Sequence, residues 1–205
     1  MTPFAAEISR TLYRFVQEYL RAEMIRSDNV LEDQLVSYLR RYFMKVETEQ
    51  HIQLPPHNAS RRKSVFADIV ISRAGENVPI NICVQSVNRA SRTRTHFWEA
   101  VDGMNVLIDS VKTVDAGFVV FITNQAVFWE KATDARFLEP AQFSLLTGTT
   151  EDVSVGVDRS NGGNKKYYTQ LMWIQSQDAK TKCCLAQQSI RLPKSTDAIP
   201  YETIK

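Results

Sequence analysis

Residues 65–87 read VFADIVISRAGENVPINICVQSV, which is two strand-like apolar runs joined by a short polar stretch. The first run is apolar apart from Asp68, and Gly75 and Asn77 then supply the residue types of a tight turn. In the second run, successive side chains point to opposite faces of the strand. One face carries Val78, Ile80, Ile82 and Val84, and the other carries Asn81, Cys83 and Gln85. The stretch therefore predicts a hairpin with an acid on its first strand and three non-aliphatic side chains on one face of its second.

The segments around this hairpin favour an α/β sheet. Apolar residues recur at helical spacing in three segments, which we predict to be helices at 2–26, 29–43 and 95–111. Strands are predicted before and after the hairpin at 46–54 and 116–124, and the second of these is a continuous apolar run typical of a buried central strand. Two more strands are expected at 167–175 and 183–192. We therefore expect a single α/β domain with a central mixed β-sheet flanked by helices, an N-terminal helix and a C-terminal β extension.

The order of these elements and the residues of the hairpin resemble the PD-(D/E)XK nuclease superfamily, which has the restriction-endonuclease-like fold. In that family an Asp on one strand is followed, across a hairpin, by a strand ending in Glu-x-Lys. Asp68 matches the Asp, whereas Asn81 stands at the Glu position and Cys83 at the Lys position. The strand end Ile122-Thr123-Asn124, followed by Phe128-Trp129, is also similar to small uncharacterised proteins of the superfamily. The resemblance implies one restriction-endonuclease-like domain over 1–205, with its core at about 28–131, the extension at about 132–192 and a tail at 193–205.

The resemblance also implies a chemistry, which this chain departs from at two positions. In the family, the carboxylates hold a divalent cation, usually magnesium, that activates a water, and the Lys positions that water. The amide of Asn81 offers a metal only a neutral oxygen, and the thiol of Cys83 supplies no cation. Family nucleases often carry a Glu on the helix before the first strand, and Glu32 matches that placement, with a surface role at the helix N-terminus as its alternative. If the site is active, Glu32 and Asp68 would hold magnesium, with Asn81, Cys83 and Gln85 at the remaining catalytic positions.

Two groups of basic residues flank the hairpin. The residues are Arg61, Arg62 and Lys63 before it, and Arg89, Arg92 and Arg94 after it. In the implied fold both groups would border the mouth of the site, where phosphates of DNA or RNA would approach. The alternative is that they are solvated turn residues. No aromatic residues interleave with them, so base stacking is not expected.

Composition narrows the class of protein. With 43% apolar and 23% charged residues the chain has the composition of a globular protein, and its net charge of +2 does not by itself indicate a polyanionic partner. Its three cysteines lack CxxC spacing, so they do not indicate a zinc site. Because we find neither a signal-peptide pattern nor a run near the ~20 apolar residues of a membrane span, we expect a cytoplasmic protein without a membrane partner.

The substitutions at Asn81 and Cys83 decide the functional expectation. We expect a nuclease-like protein with a degenerate active site, catalytically impaired, that acts as a nucleic-acid-binding or regulatory module. One alternative is an active metal-dependent nuclease with relocated residues, in which Glu32 and Asp68 hold the metal, Asn81 adds an oxygen and Gln85 orients water. The other alternative is a protein-interaction module, for example in a toxin–antitoxin or phage-defence system, that uses the N-terminal helix.

Overall fold

The computed structural model describes residues 2–26, 28–56, 62–84, 90–124, 148–151 and 168–189. Its helices are α1 (Pro3–Glu18), a short 3-10 helix (Ala22–Arg26), α2 (Asp28–Leu39) and α3 (Ala90–Ser110). Its strands are β1 (Val46–Gln53), β2 (Ser64–Arg73), β3 (Glu76–Val84), β4 (Ala116–Thr123), β5 (Gly148–Glu151), β6 (Tyr168–Gln175) and β7 (Lys182–Ser189). The segments 125–147 and 190–205, the second of which includes the whole predicted tail, lie outside the described residues.

The seven strands form one mixed sheet in the order β1-β2-β3-β4-β7-β6-β5. The pairs β1–β2 and β2–β3 are antiparallel, whereas β4 runs parallel to β3. A parallel pair needs a crossover, and α3 supplies it. Strands β7 and β6 then continue the sheet from β4 in antiparallel pairing. The predicted mixed sheet flanked by helices is confirmed, and the predicted C-terminal strands extend that same sheet.

Two apolar layers cover the two faces of the sheet. On one face, α1 and α2 pack over alternate residues of the central strands, including Ile80 and Phe118. On the other face, α3 packs over the intervening residues of β4, Val119 and Phe121. Every residue of β4 is buried, as expected for a strand with a helical layer on each side. Next to the β2–β3 hairpin, side chains of α1 and α2 therefore cover one face of the sheet, and side chains of α3 cover the other.

Local chemistry explains where α1 begins. The Oγ1 atom of Thr2 accepts a hydrogen bond from the N–H of Ala5 at 3.2 Å, which satisfies one of the free amides of the first turn. Pro3 occupies the first helical position, where its missing N–H costs nothing. The apolar residues predicted at helical spacing, such as Phe4 and Ile8, are buried against the sheet. The N-terminal helix is thus confirmed as part of the fold.

The helix predicted at 2–26 is wrong after Glu18, where α1 ends, because a tertiary contact competes with its continuation. The N–H of Gln177 in the β6–β7 turn donates to the carbonyl oxygen of Leu20 at 3.1 Å. The N–H of Ala22 donates to the Asp178 carboxylate at 2.7 Å. Backbone groups that would continue α1 are therefore bonded to the turn, and the chain continues as a 3-10 helix from Ala22 to Arg26.

In the part of the chain that the structure describes, no helix is both long and apolar enough to cross a bilayer.

Candidate functional site

Strands β2 and β3 stop pairing through their backbones at the level of Asp68. The last backbone pair toward that end of the hairpin is Ile69–Ile80. Beyond it, the N–H of Ile82 donates to Oδ2 of Asp68 at 2.6 Å. In the opposite direction, the N–H of Asp68 donates to Oδ1 of Asn81 at 3.2 Å. The side chains of Asp68 and Asn81, which stand at the Asp and Glu positions of the family that the sequence resembles, therefore bridge the end of the ladder.

The other neighbour of Asp68 is also irregular at this level. In the register of β1 and β2, Thr48 pairs with Ile69 and Gln50 pairs with Ala67, so Glu49 stands opposite Asp68. Glu49 does not complete that pair, and its φ is 51°, in the left-handed region. Such a conformation costs a residue with a side chain about 1–2 kcal/mol and is found where the surroundings require it. Asp68 thus lies between two interruptions of the sheet.

The ribbon of β1 and β2 crosses from one core layer to the other in the same region. Ile69 and Ile71 belong to the apolar layer of α1 and α2. By the alternation of a strand, Val65 points to the same side of β2, yet it packs in the layer of α3, together with Ile52 of β1. The ribbon therefore twists between Val65 and Ile69, which is where Asp68 lies. This twist explains why regular pairing to both neighbours is interrupted there.

Three carboxylates act on one another around Asp68. Burial raises the pKa of Glu32, and the negative charges of Asp68 and Glu49 raise it further. Burial also raises the pKa of Asp68, partly offset by the hydrogen bond from the N–H of Ile82, and Glu49 again raises it. The structure thus places Glu32, predicted from the helix before β1, and the exposed side chain of Glu49 within electrostatic range of Asp68.

Cys83 lies next to this acid cluster but belongs to the apolar core. It packs with the layer of α3, on the face of β3 opposite to Ile80. Burial raises the pKa of its thiol to about 12, and the charge of Asp68 adds to the shift. The group is therefore a neutral thiol at physiological pH. It supplies neither the cation of the family motif nor a reactive thiolate.

In the family that the sequence resembles, the side-chain oxygens at the positions of Asp68 and Asn81 would hold a magnesium ion, whereas here they take part in the hydrogen bonds of the sheet. One Asp68 oxygen and the Asn81 carbonyl oxygen already accept backbone N–H bonds. Among the described residues, no group of three or more His, Cys, Asp or Glu side chains is arranged to hold a metal ion. Gln85, predicted to orient a water, lies outside the described part of the chain.

The predicted basic rim is described at two of its six positions. Arg62 donates from Nη2 to Oδ2 of Asp102 at 2.9 Å, and the Asp102 side chain is only 4% exposed. Lys63 is exposed. The structure does not describe Arg61 and Arg89. The backbones of Arg92 and Arg94 lie on α3, but their side chains are not described.

Sequence reasoning missed Asp102, the partner of Arg62. The available signal is an acid inside the buried stripe of α3, next to Val101 and near Met104. A buried carboxylate needs a charged or hydrogen-bonding partner, and Arg62 supplies one for Asp102.

Comparison with protein-family models, with curated proteins and with solved structures found no match to this chain.

Proposed function

We propose that the chain is a restriction-endonuclease-like protein whose motif residues hold the sheet together, so that metal-dependent hydrolysis is impaired and the protein acts by binding nucleic acid. The fold part of the proposal is supported by the order of elements from α2 to β4. That order is helix, three antiparallel strands, crossover helix and parallel strand. It is the order that the sequence resemblance implies for the nuclease core.

One observation carries the loss of catalysis. One carboxylate oxygen of Asp68 and the side-chain oxygen of Asn81 accept hydrogen bonds from peptide N–H groups of the hairpin. A family nuclease needs the equivalent oxygens for a metal ion, and it needs a cation two residues further on. At that position the chain has the neutral, partly buried thiol of Cys83. Asn81 thus replaces the second charged ligand, and Cys83 replaces the group that would position the water.

The binding part of the proposal rests on the basic residues that border this end of the hairpin. Lys63 is exposed just before β2, and Arg62 presents a guanidinium that is 43% exposed and fixed by Asp102. Such groups attract phosphates and release counterions from them. The carboxylates of Glu32, Glu49 and Asp68 repel phosphates, so we place the nucleic-acid backbone beside the acid cluster and not on it.

The test is fluorescence anisotropy with a short duplex DNA and a short single-stranded RNA, titrated at several salt concentrations. We expect saturable binding to at least one probe and a salt slope that Lys63→Glu reduces by about 1 or more. Lys180→Glu is the matched control, because Lys180 is an exposed lysine on the β6–β7 turn beside α1. Asp68→Ala should leave the affinity nearly unchanged.

Three outcomes would contradict the proposal. They are the absence of saturable binding to both probes, an equal effect of the two lysine variants, and a large loss of affinity in Asp68→Ala. The last outcome would mean that a metal bridges protein and phosphate, because Asp68 itself carries the wrong charge for a phosphate.

The alternative of an active nuclease with relocated residues has one specific observation in its favour. The charges of Asp68 and Glu49 raise the pKa of Glu32, and the charge of Glu49 raises the pKa of Asp68, as neighbouring carboxylates do when no cation neutralises them. Asn81, however, is already bonded to Asp68. Magnesium-dependent cleavage of either probe by the unmodified protein, lost in Asp68→Ala, would favour this alternative.

A further inference from the structure

A cavity opens on the helical side of the molecule, between the end of α1, the 3-10 helix and the start of α2. Its volume is about 430 Å³, which is within the range of small-ligand pockets. The lining residues are Glu18, Tyr19, Arg21, Glu23, Met24, Val30 and Gln34. None of them belongs to the acid cluster around Asp68 or to the predicted basic rim. The cavity is therefore a separate feature from the candidate site.

Its walls are held in place by the β6–β7 turn. Asp178 accepts hydrogen bonds from the N–H of Ala22 at 2.7 Å and from the Ser176 hydroxyl at 2.8 Å. Arg21 donates from Nε to the side-chain oxygen of Gln177 at 2.8 Å. These contacts fix the 3-10 helix that forms one side of the cavity. A binding surface that is already ordered loses less entropy when a partner binds.

Exposed apolar and aromatic side chains extend from this cavity along α2. Five large hydrophobic side chains are exposed in the described residues, and two of them, Tyr19 and Val30, line the cavity. A third, Tyr42, follows the end of α2. The buried ring of Tyr38 lies 4.8 Å from that of Tyr19 and 5.2 Å from that of Tyr42, so it links the exposed rings of Tyr19 and Tyr42 beside α2. Surfaces of this composition, with Tyr and Arg, are typical of protein interfaces.

The charges of the cavity select the kind of partner. Neither Glu18 nor Glu23 forms an ion pair within the part of the chain that the structure describes. Of the lining residues, Glu18 and Glu23 are negative and Arg21 is positive, and Arg21 donates one N–H to the neutral side chain of Gln177. Carboxylates therefore outnumber cations in the lining by two to one. The cavity should favour a cationic group whose aliphatic part packs on Tyr19, Met24 and Val30.

We propose that this cavity and the adjoining aromatic surface bind an amphipathic segment of a partner protein, with a lysine or arginine side chain of that segment in the cavity. The aromatic surface beyond the cavity favours a polypeptide over a small amine, because it extends the contact along α2. Glu18 and Glu23 disfavour a nucleic acid at this surface. The inference does not depend on nucleic-acid binding near Lys63, so either proposal can fail alone.

The probe is a fluorescein-labelled amphipathic peptide of leucine and lysine, titrated with the full-length protein and followed by anisotropy. A second peptide, with every lysine replaced by glutamate, controls for apolar contact alone. We expect saturable binding of the lysine peptide and little of the glutamate peptide. The double variant Glu18→Gln/Glu23→Gln should weaken binding about tenfold, which corresponds to about 1.4 kcal/mol. Val30→Arg should weaken it further, because it places a cation at the mouth of the cavity.

The matched control is Glu47→Gln/Glu99→Gln, which removes two exposed carboxylates from β1 and α3. It should bind the lysine peptide as the unmodified protein does. The proposal is overturned if neither peptide binds, if both peptides bind equally, or if the control variant loses as much affinity as the Glu18/Glu23 variant. It is also overturned if spermine displaces the peptide at a matched concentration of charge, because the cavity would then be a site for small amines.

Discussion

The peptide N–H of Asp68 donates to the side-chain oxygen of Asn81 at 3.2 Å, and the Asp68 carboxylate accepts the N–H of the residue after Asn81, Ile82. The two side chains thus replace the backbone bonds that β2 and β3 would otherwise exchange at this level. A bond from a peptide N–H to a carboxylate is charge-assisted and stronger than a neutral one. This pair is the physical basis for treating the motif positions as structural.

Removing the carboxylate should destabilise the fold. In Asp68→Ala the N–H of Ile82 loses its acceptor, and we expect the free energy of unfolding to fall by about 1–3 kcal/mol. Asp68→Asn is the matched control, because it keeps an acceptor oxygen at the same place and should lose less. Urea denaturation followed by circular dichroism measures both. Equal stability of Asp68→Ala and the unmodified protein would contradict a structural role.

The acid cluster should make stability depend on pH in a defined direction. Burial and the charges of neighbouring acids raise the pKa of Glu32 and of Asp68 in the folded state. The folded protein therefore takes up these protons at a higher pH than the unfolded chain does. The charged carboxylates therefore lower the free energy of unfolding at pH values above the raised folded-state pKa. This loss of stability is relieved as the pH falls through that value toward the ordinary carboxylate pKa.

This pH effect can be isolated by comparing Asp68→Asn with the unmodified protein from neutral pH down to the ordinary carboxylate range. The unmodified protein should gain stability relative to the variant as the pH falls, because only it has the Asp68 carboxylate to protonate. Urea midpoints at each pH measure the difference. A difference that moves the other way would show that the folded state lowers the pKa of Asp68.

The three cysteines should be unreactive in the native protein. Burial raises the pKa of Cys83 to about 12 and also raises the pKa of the buried thiols Cys183 and Cys184. At pH 8 the thiolate fraction of each is then small, and thiolate is the reactive form. Ellman's reagent should therefore modify the native protein slowly and all three cysteines quickly in denaturant. Rapid modification of any of the three thiols in the native protein would contradict this prediction.

Those parts of the fold that depend on local patterns could be predicted from the sequence. The β2–β3 hairpin and its turn, the buried strand β4 and the capped start of α1 follow from alternation, an apolar run, and Thr2 before Pro3. The end of α1 could not be predicted, because it is set by hydrogen bonds from the β6–β7 turn, more than 150 residues away.

The arrangement of side chains around Asp68 could not be predicted from the sequence. The positions of Asp68, Asn81 and Cys83 on the hairpin followed from strand alternation. The hydrogen bonds of Asp68 and Asn81 depend on where the β2–β3 ladder ends. The left-handed φ of Glu49 depends on the twist of the β1–β2 ribbon. Both are properties of the tertiary structure. The pairing of Arg62 with Asp102, 40 residues along the chain, also requires the packing of α3 on the sheet.

The central claim is that the motif residues act as structural bonds and not as metal ligands. Calorimetric titration of magnesium and of manganese into the unmodified protein, with Asp68→Ala alongside, tests it most directly. We predict no saturable heat of binding for either protein. Saturable binding by the unmodified protein that is lost in Asp68→Ala would contradict the claim and show that a working metal site is formed at Asp68.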